Sequence, residues 1–216
     1  MARPVAVKKP KPAKAFTLRP AALTAKERVV TDARALTTML AEHATALLAD
    51  GQLEHAQKRA TRAHGMAEEL NDPALLRTTL RARIETLRGV ASRAALSDTL
   101  TRALLKVLEA QPEDTRRERA ALWESLGGEP WWIERGPSLE SAAFEANVQR
   151  ALGLYRAAYG DGQGTEDDIA RTLTLLRKSL EERRDIEARG RLFTEVAKWP
   201  PELRARLKAA GLDFPG

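Results

Sequence analysis

Side chains that commonly carry chemistry are sparse in this 216-residue chain. It has three histidines, His43, His55 and His64, and no cysteine. His55 and His64 are nine residues apart, which places them on opposite sides of one helix. No histidine has a glutamate three positions before it, and no H-E-x-x-H occurs. The zincin and di-iron bundle patterns are therefore absent, and surface or groove histidines are expected rather than metal ligands. Without cysteine, disulfides, thiolate catalysis and cysteine-ligated zinc are excluded.

The loop Gly160-Asp161-Gly162-Gln163-Gly164 leads into a helix, as phosphate-binding loops do. It lacks the lysine, and Glu166, Asp167 and Asp168 would repel phosphate. As a calcium loop it also fails, with Glu166 where glycine is needed and Thr172 where the bidentate acid belongs. A plain helix-connecting turn is expected. Glu68/Glu69 and Glu181/Glu182 are neighbours in sequence, so on a helix they diverge rather than form an acid–base pair. Nucleophile-elbow and dinucleotide motifs do not occur. No catalytic, cofactor-binding or metal-ligating residue is assigned, and a non-enzymatic protein is expected.

What remains is charge and tryptophan. Residues 1–26 hold Arg3, Lys8, Lys9, Lys11, Lys14, Arg19 and Lys26 and no acid, while residues 27–216 hold 29 basic and 30 acidic groups. The net charge of +6 therefore belongs to the arm. Pro4, Pro10, Pro12 and Pro20 deny it helix hydrogen bonds, and few apolar side chains offset the entropy of ordering it. A disordered basic arm over 1–23 is expected. Trp131 and Trp132 share an irregular connector, Glu129–Pro137. They either plug the joint between two halves or form a partner-binding surface, since tryptophan is enriched at binding hot spots; a nucleobase platform is a third reading. Arg116, Arg117 and Arg119 lie among Glu113, Asp114 and Glu118, and Arg183 and Arg184 among Glu181, Glu182 and Asp185. Intrahelical ion pairs are expected there.

The elements that carry these residues read as helices throughout. Ala, Leu, Glu and Arg dominate, and no segment alternates apolar and polar residues as a half-buried strand would. The first helix is predicted from Thr24, whose T-x-x-E pattern with Glu27 forms a capping box, to Gly51. The second runs to Leu70 with an inner stripe of Leu53, Ala56, Ala60, Ala63, Ala67 and Leu70. Asp72 caps the third at Pro73, which reaches Arg88. A fourth starts near Ser97 and a fifth at Pro112. Ser138 caps a sixth ending at Gly160. Thr165 caps a seventh, with Ile169, Leu173, Leu176 and Leu180 as its seam, running to Gly190 or Trp199. Pro200-Pro201 starts a short last helix ending at Gly211. The longest apolar run, Ala46–Ala49, is far too short for a membrane span or a signal peptide, so a cytoplasmic address is expected. The expected fold is all-α: a helical-hairpin region over 24–128, the connector 129–137, and a longer-helix region over 138–216.

Gly51, Gly89 and Gly127 recur every 38 residues, each with an alanine seven positions earlier, at Ala44, Ala82 and Ala120. The segment Leu47–Leu76 resembles a tetratricopeptide repeat, with Gly51 at the inter-helix turn and Ala44, Ala56 and Ala63 at the close-packing spacings. The stretch from Ala63 through Met66-Ala67-Glu68-Glu69-Leu70 to Asp72-Pro73 is also similar to that family. It departs in holding Ala60 where a bulky aromatic is usual and in a late closing proline, Pro73. The resemblance extends at most over 24–126 and implies helical hairpins and a habit of binding proteins. The leading expectation is thus a protein–protein interaction or assembly protein on a helical scaffold. The runner-up is a nucleic-acid-associated protein whose arm binds without sequence preference. A helical component of a larger phage or secretion-type assembly comes third. Homo-oligomerisation is compatible with all three.

Overall fold

The computed structural model describes residues 32–88, 90–128 and 142–212. Every regular element among them is helical, and none of the described residues forms a strand. The helices are α1 (Ala33–Ala49), α2 (Leu53–Leu70), α3 (Pro73–Glu85), α4 (Ala94–Glu109), α5 (Arg116–Gly128), α6 (Ala142–Gly160), α7 (Glu166–Glu182), α8 (Ile186–Ala197) and α9 (Pro201–Ala209), with a 3₁₀ turn at Ala91–Arg93. Successive helices pack as hairpins: α1 on α2, α3 on α4, α5 on α6 and α6 on α7. The basic arm and the Trp131–Trp132 connector lie outside the described residues.

Several boundaries follow the sequence signals. Gly51 takes a left-handed φ of 74° after α1, and Asn71 closes α2 at φ 49°. Asp72 accepts hydrogen bonds from the Ala74 and Leu75 amides and opens α3 at Pro73. The Thr165 hydroxyl accepts from the Asp168 amide and caps α7.

Other boundaries differ. α1 starts at Ala33, not at Thr24, because Asp32 has extended backbone and its carboxylate caps the Arg34 amide at 3.0 Å; an aspartate this close to a helix end competes with helix continuation. Thr24 and Glu27 themselves lie outside the described residues. α4 begins three residues before Ser97, which is buried inside it. α5 begins at Arg116 rather than Pro112: Asp114 captures the Arg116 amide at 3.0 Å, and the Thr115 hydroxyl donates to the Leu108 carbonyl at the end of α4. The seventh helix does not reach Gly190. It stops at Glu182, Arg184 adopts a left-handed φ of 56°, and Asp185 caps a separate α8 through the Ala188 amide. Gly190 is then an interior position of α8 and stops no helix, whereas α5 ends at Gly127-Gly128.

The alanines of the 38-residue spacing do share an environment. Ala44, Ala82 and Ala120 are all buried, as are Ala56 and Ala94. In the N-terminal hairpin, Ala60 and Ala63 of α2 pack against Leu36, Leu40 and Ala44, a small-residue face that allows close helix approach. Leu80 and Ile84 pack on Leu100, Leu104 and Leu108. The C-terminal core is larger and includes the expected seam Ile169, Leu173, Leu176 and Leu180 with Val148, Tyr155, Trp199 and Leu207; Ala120 of α5 belongs to it.

The arginine clusters pair mainly between helices, not within them. Glu118 of α5 accepts from Arg77 at 2.6 Å and from Arg81, both on α3. Arg116 pairs with Asp114 and, at 2.5 Å, with Asp161. Arg117 donates to Asp168 of α7 at 2.9 Å, and Arg119 to Glu109 of α4 at 3.0 Å. Arg183 bridges Glu145 of α6 and Asp185. The set with the most hydrogen bonds on one guanidinium lies between α5 and α7: Arg171 donates to both oxygens of Glu124 at 2.6 and 2.9 Å, to Tyr155, and to Asp168 at 3.3 Å. Burial next to Glu124 pushes the Tyr155 phenol well above its ordinary range.

Removing Arg171 leaves the Glu124 carboxylate, 11% exposed, without a cation and Asp168, 10% exposed, with Arg117 alone. Removing the charge of Glu124 leaves a half-exposed guanidinium that water can solvate. Arg171→Ala is therefore expected to lower unfolding free energy by about 2–3 kcal/mol and Glu124→Gln by about 1 kcal/mol. Urea unfolding of both variants checks the order; equal losses would refute the asymmetry.

Candidate interaction surface

Two concave surfaces stand out among the described residues. The larger, about 720 Å³, lies where the first turns of α2 face the end of α3 and the start of α4. Gln57 ties its walls together by donating to the Thr86 carbonyl at 2.9 Å. Leu87, buried, and Leu96, half-buried, supply apolar lining. Around them stand four cations, Lys58, Arg62, Arg83 and Arg93, and one carboxylate, Glu54. The start of α4 adds to this sign, because its first turn carries no acid and no side chain caps it.

The smaller cavity, about 440 Å³, lies between α6 and α8 with α7 as its floor. Leu152, Leu176, Leu192 and Trp199 line it, and the guanidinium of Arg156 stacks on Trp199 at 4.2 Å. Two acids and two arginines share its rim, so the cavity has no preferred sign of charge.

Of the residues singled out in the sequence, Trp131 and Trp132 and the arm cations Arg3, Lys8, Lys9, Lys11, Lys14 and Arg19 lie outside the described residues. His55 is exposed and His43 half-buried. His64 departs from the expected surface or groove histidine: it is buried, its Nε2 stands 3.5 Å from Glu68, and its Nδ1 has no hydrogen-bond partner. The loop 160–164 is a helix-connecting turn, as expected. Gly162 has φ 73°, and a Cβ on Gly164 would lie 2.8 Å from the Tyr159 backbone nitrogen. Asp161, Glu166 and Asp168 beside it are engaged by Arg116, Arg117, Arg171 and Arg206. No group of acids and histidines suited to a metal ion occurs among the described residues. Among the same residues, no helix is long and apolar enough to cross a membrane.

The groove cations were missed in the sequence, although a signal exists. Arg62, Arg83 and Arg93 each lack an acid three or four positions away, so no helix neighbour is placed to neutralise them.

No protein-family model matches the chain, and no curated protein matches it. Among solved structures it is similar to BtubC (BKLC) from P. vanneervenii, with a TM-score of 0.59 at 14% identity, over 82% of this chain and 70% of that one. At that identity the likeness is one of fold.

Burial, opposed in part by Glu68 and assisted by Arg83, lowers the pKa of His64. The folded protein then takes up this proton less readily than the unfolded chain does, so the contribution to stability is intact above about pH 6.5 and declines below it. Urea midpoints at pH 7.5 and 5.5 are expected to fall less in His64→Met than in the wild type. An equal fall would clear His64 of the effect.

Proposed function

We propose that the chain is a non-enzymatic interaction protein whose helical scaffold holds a segment of a partner protein. The observation that supports this best is the stack of N-terminal hairpins with an open groove at their helix ends, lined by side chains suited to binding. The tetratricopeptide-like pattern over Leu47–Leu76 agrees with it: the alanines that carry the resemblance are the ones buried between helices, and family members of that kind bind proteins. The all-helical fold shared with BtubC adds the architecture only. A cysteine-free chain suits a reducing, cytoplasmic setting. Pull-downs of the full chain, of the Trp131→Ala/Trp132→Ala variant and of a chain lacking residues 1–26 test the reading. A partner retained by the full chain is expected, and its loss from either of the other chains would put the contact on the tryptophans or the arm rather than the groove; no partner retained by the full chain would overturn the reading.

A second reading rests on the charge layout. The arm holds seven cations and no acid, while the rest of the chain is near neutral, which suits sequence-independent attraction to nucleic acid. Its binding would weaken steeply with salt, by about 0.9 in log–log slope per phosphate contact. Titrations of DNA and RNA at two salt concentrations, with and without residues 1–26, decide it: equal binding by both chains removes the arm from that role.

A further inference from the structure

Most arginines of the described structure face a carboxylate: Arg34, Arg77, Arg81, Arg116, Arg117, Arg171 and Arg183 are each in an ion pair. The groove between α2 and the α3–α4 junction breaks this pattern. Lys58, Arg83 and Arg93 line it, and none of the three has an ion pair among the described residues. Arg62 stands on the same wall, one turn from Lys58. Glu54 is the one carboxylate in the lining, so positive charge is in excess there, and like charges in excess repel one another. The uncapped, acid-free start of α4 at Arg93 adds positive potential to the same groove.

We infer that this groove takes an acidic, extended segment of a partner protein, with its carboxylates on Lys58, Arg83 and Arg93 and an apolar side chain against Leu87 and Leu96. The inference rests on the proposed role as an interaction scaffold and names its binding surface and the chemistry of the partner. Charge complementarity selects the occupant. The chain's own arm is excluded because it carries seven cations and no acid. A nucleic acid would use the cations but leave the leucine lining without an apolar counterpart. A peptide that alternates acids with an apolar residue satisfies both.

The test is fluorescence anisotropy on the full chain with three labelled probes: a peptide of Asp and Glu around a central Leu pair, the same peptide with Asn and Gln in place of its acids, and a single-stranded oligothymidylate. Each is titrated against the wild type, Arg83→Glu/Arg93→Glu, and a charge-matched control on the C-terminal helices, Lys178→Glu/Arg189→Glu. The acidic peptide is expected to bind the wild type and the control equally and the groove variant about tenfold more weakly, the difference shrinking as salt is raised. The neutral peptide should bind none of them measurably. Acidic-peptide binding that is absent, or equal in the wild type and the groove variant, overturns the assignment. So does an oligothymidylate that binds more tightly and depends on the same arginines. If the double variant loses helix by circular dichroism, the exposed Arg93→Glu alone carries the comparison. Failure here while the full chain still captures a partner in pull-down removes the groove and leaves the scaffold reading in place; failure of both removes both.

Discussion

Helix α5 has to satisfy two neighbours at once, and much of the rest of the fold depends on how it does so. Glu118 faces α3, where Arg77 and Arg81 hold it. Arg117 and Glu124, seven residues and two turns apart, share the face that meets Asp168 and Arg171 of α7. Ala120 lies between these two sets and is fully buried in the C-terminal core. A methyl group at that point lets α6 and α7 come close enough for the charged pairs to meet. The pairs then set the register of the N-terminal hairpins against the C-terminal helices. Partly buried ion pairs of this kind contribute modestly when intact and cost more when one partner is lost, so they act more as specifiers of geometry than as a source of stability.

The two ends of the molecule solve their packing differently. At the N-terminal end, alanine faces on α1 and α2 bring helices together with little volume between them. The groove opens where α3 turns through a 3₁₀ segment into α4 beside the first turns of α2. At the C-terminal end, Leu, Tyr and Trp side chains fill a thicker core, and the gap between α6 and α8 is bridged by Arg156 reaching across Trp199 to Glu195. One end gathers an excess of cations around an opening, and the other balances its charges around a cavity.

Caps show how far local chemistry could be read. Asp72, Thr165 and Asn71 act within three or four residues of themselves, and the sequence shows each in place. Asp32 and Asp185 are caps of the same kind, but both sit inside stretches with good helical periodicity, so they look like interior residues until the backbone turns. The start of α5 was hidden for another reason: Thr115 satisfies the end of α4, a contact made only once two helices have met. His64 belongs with these, since nothing in its neighbourhood along the chain distinguishes it from an exposed histidine of the same helix.

By itself the sequence determined the all-helical class, most helix identities, the alanine stripe of α2, the leucine seam of α7 and the confinement of excess charge to the first 26 residues. Each follows from propensity, period or composition, which act over one or two turns. Only the tertiary structure decided that the arginine clusters pair between helices, that α7 and α8 are separate, and that Lys58, Arg62, Arg83 and Arg93 converge on one groove. The physical reason is separation along the chain. Arg117 and Asp168 are 51 residues apart, and Lys58 and Arg93 lie on either side of a whole helix, so no local pattern records that they meet. The same limit applies in reverse to unpaired charge: a cation without a partner three or four residues away is visible in the sequence, but whether a distant acid neutralises it is settled only by packing.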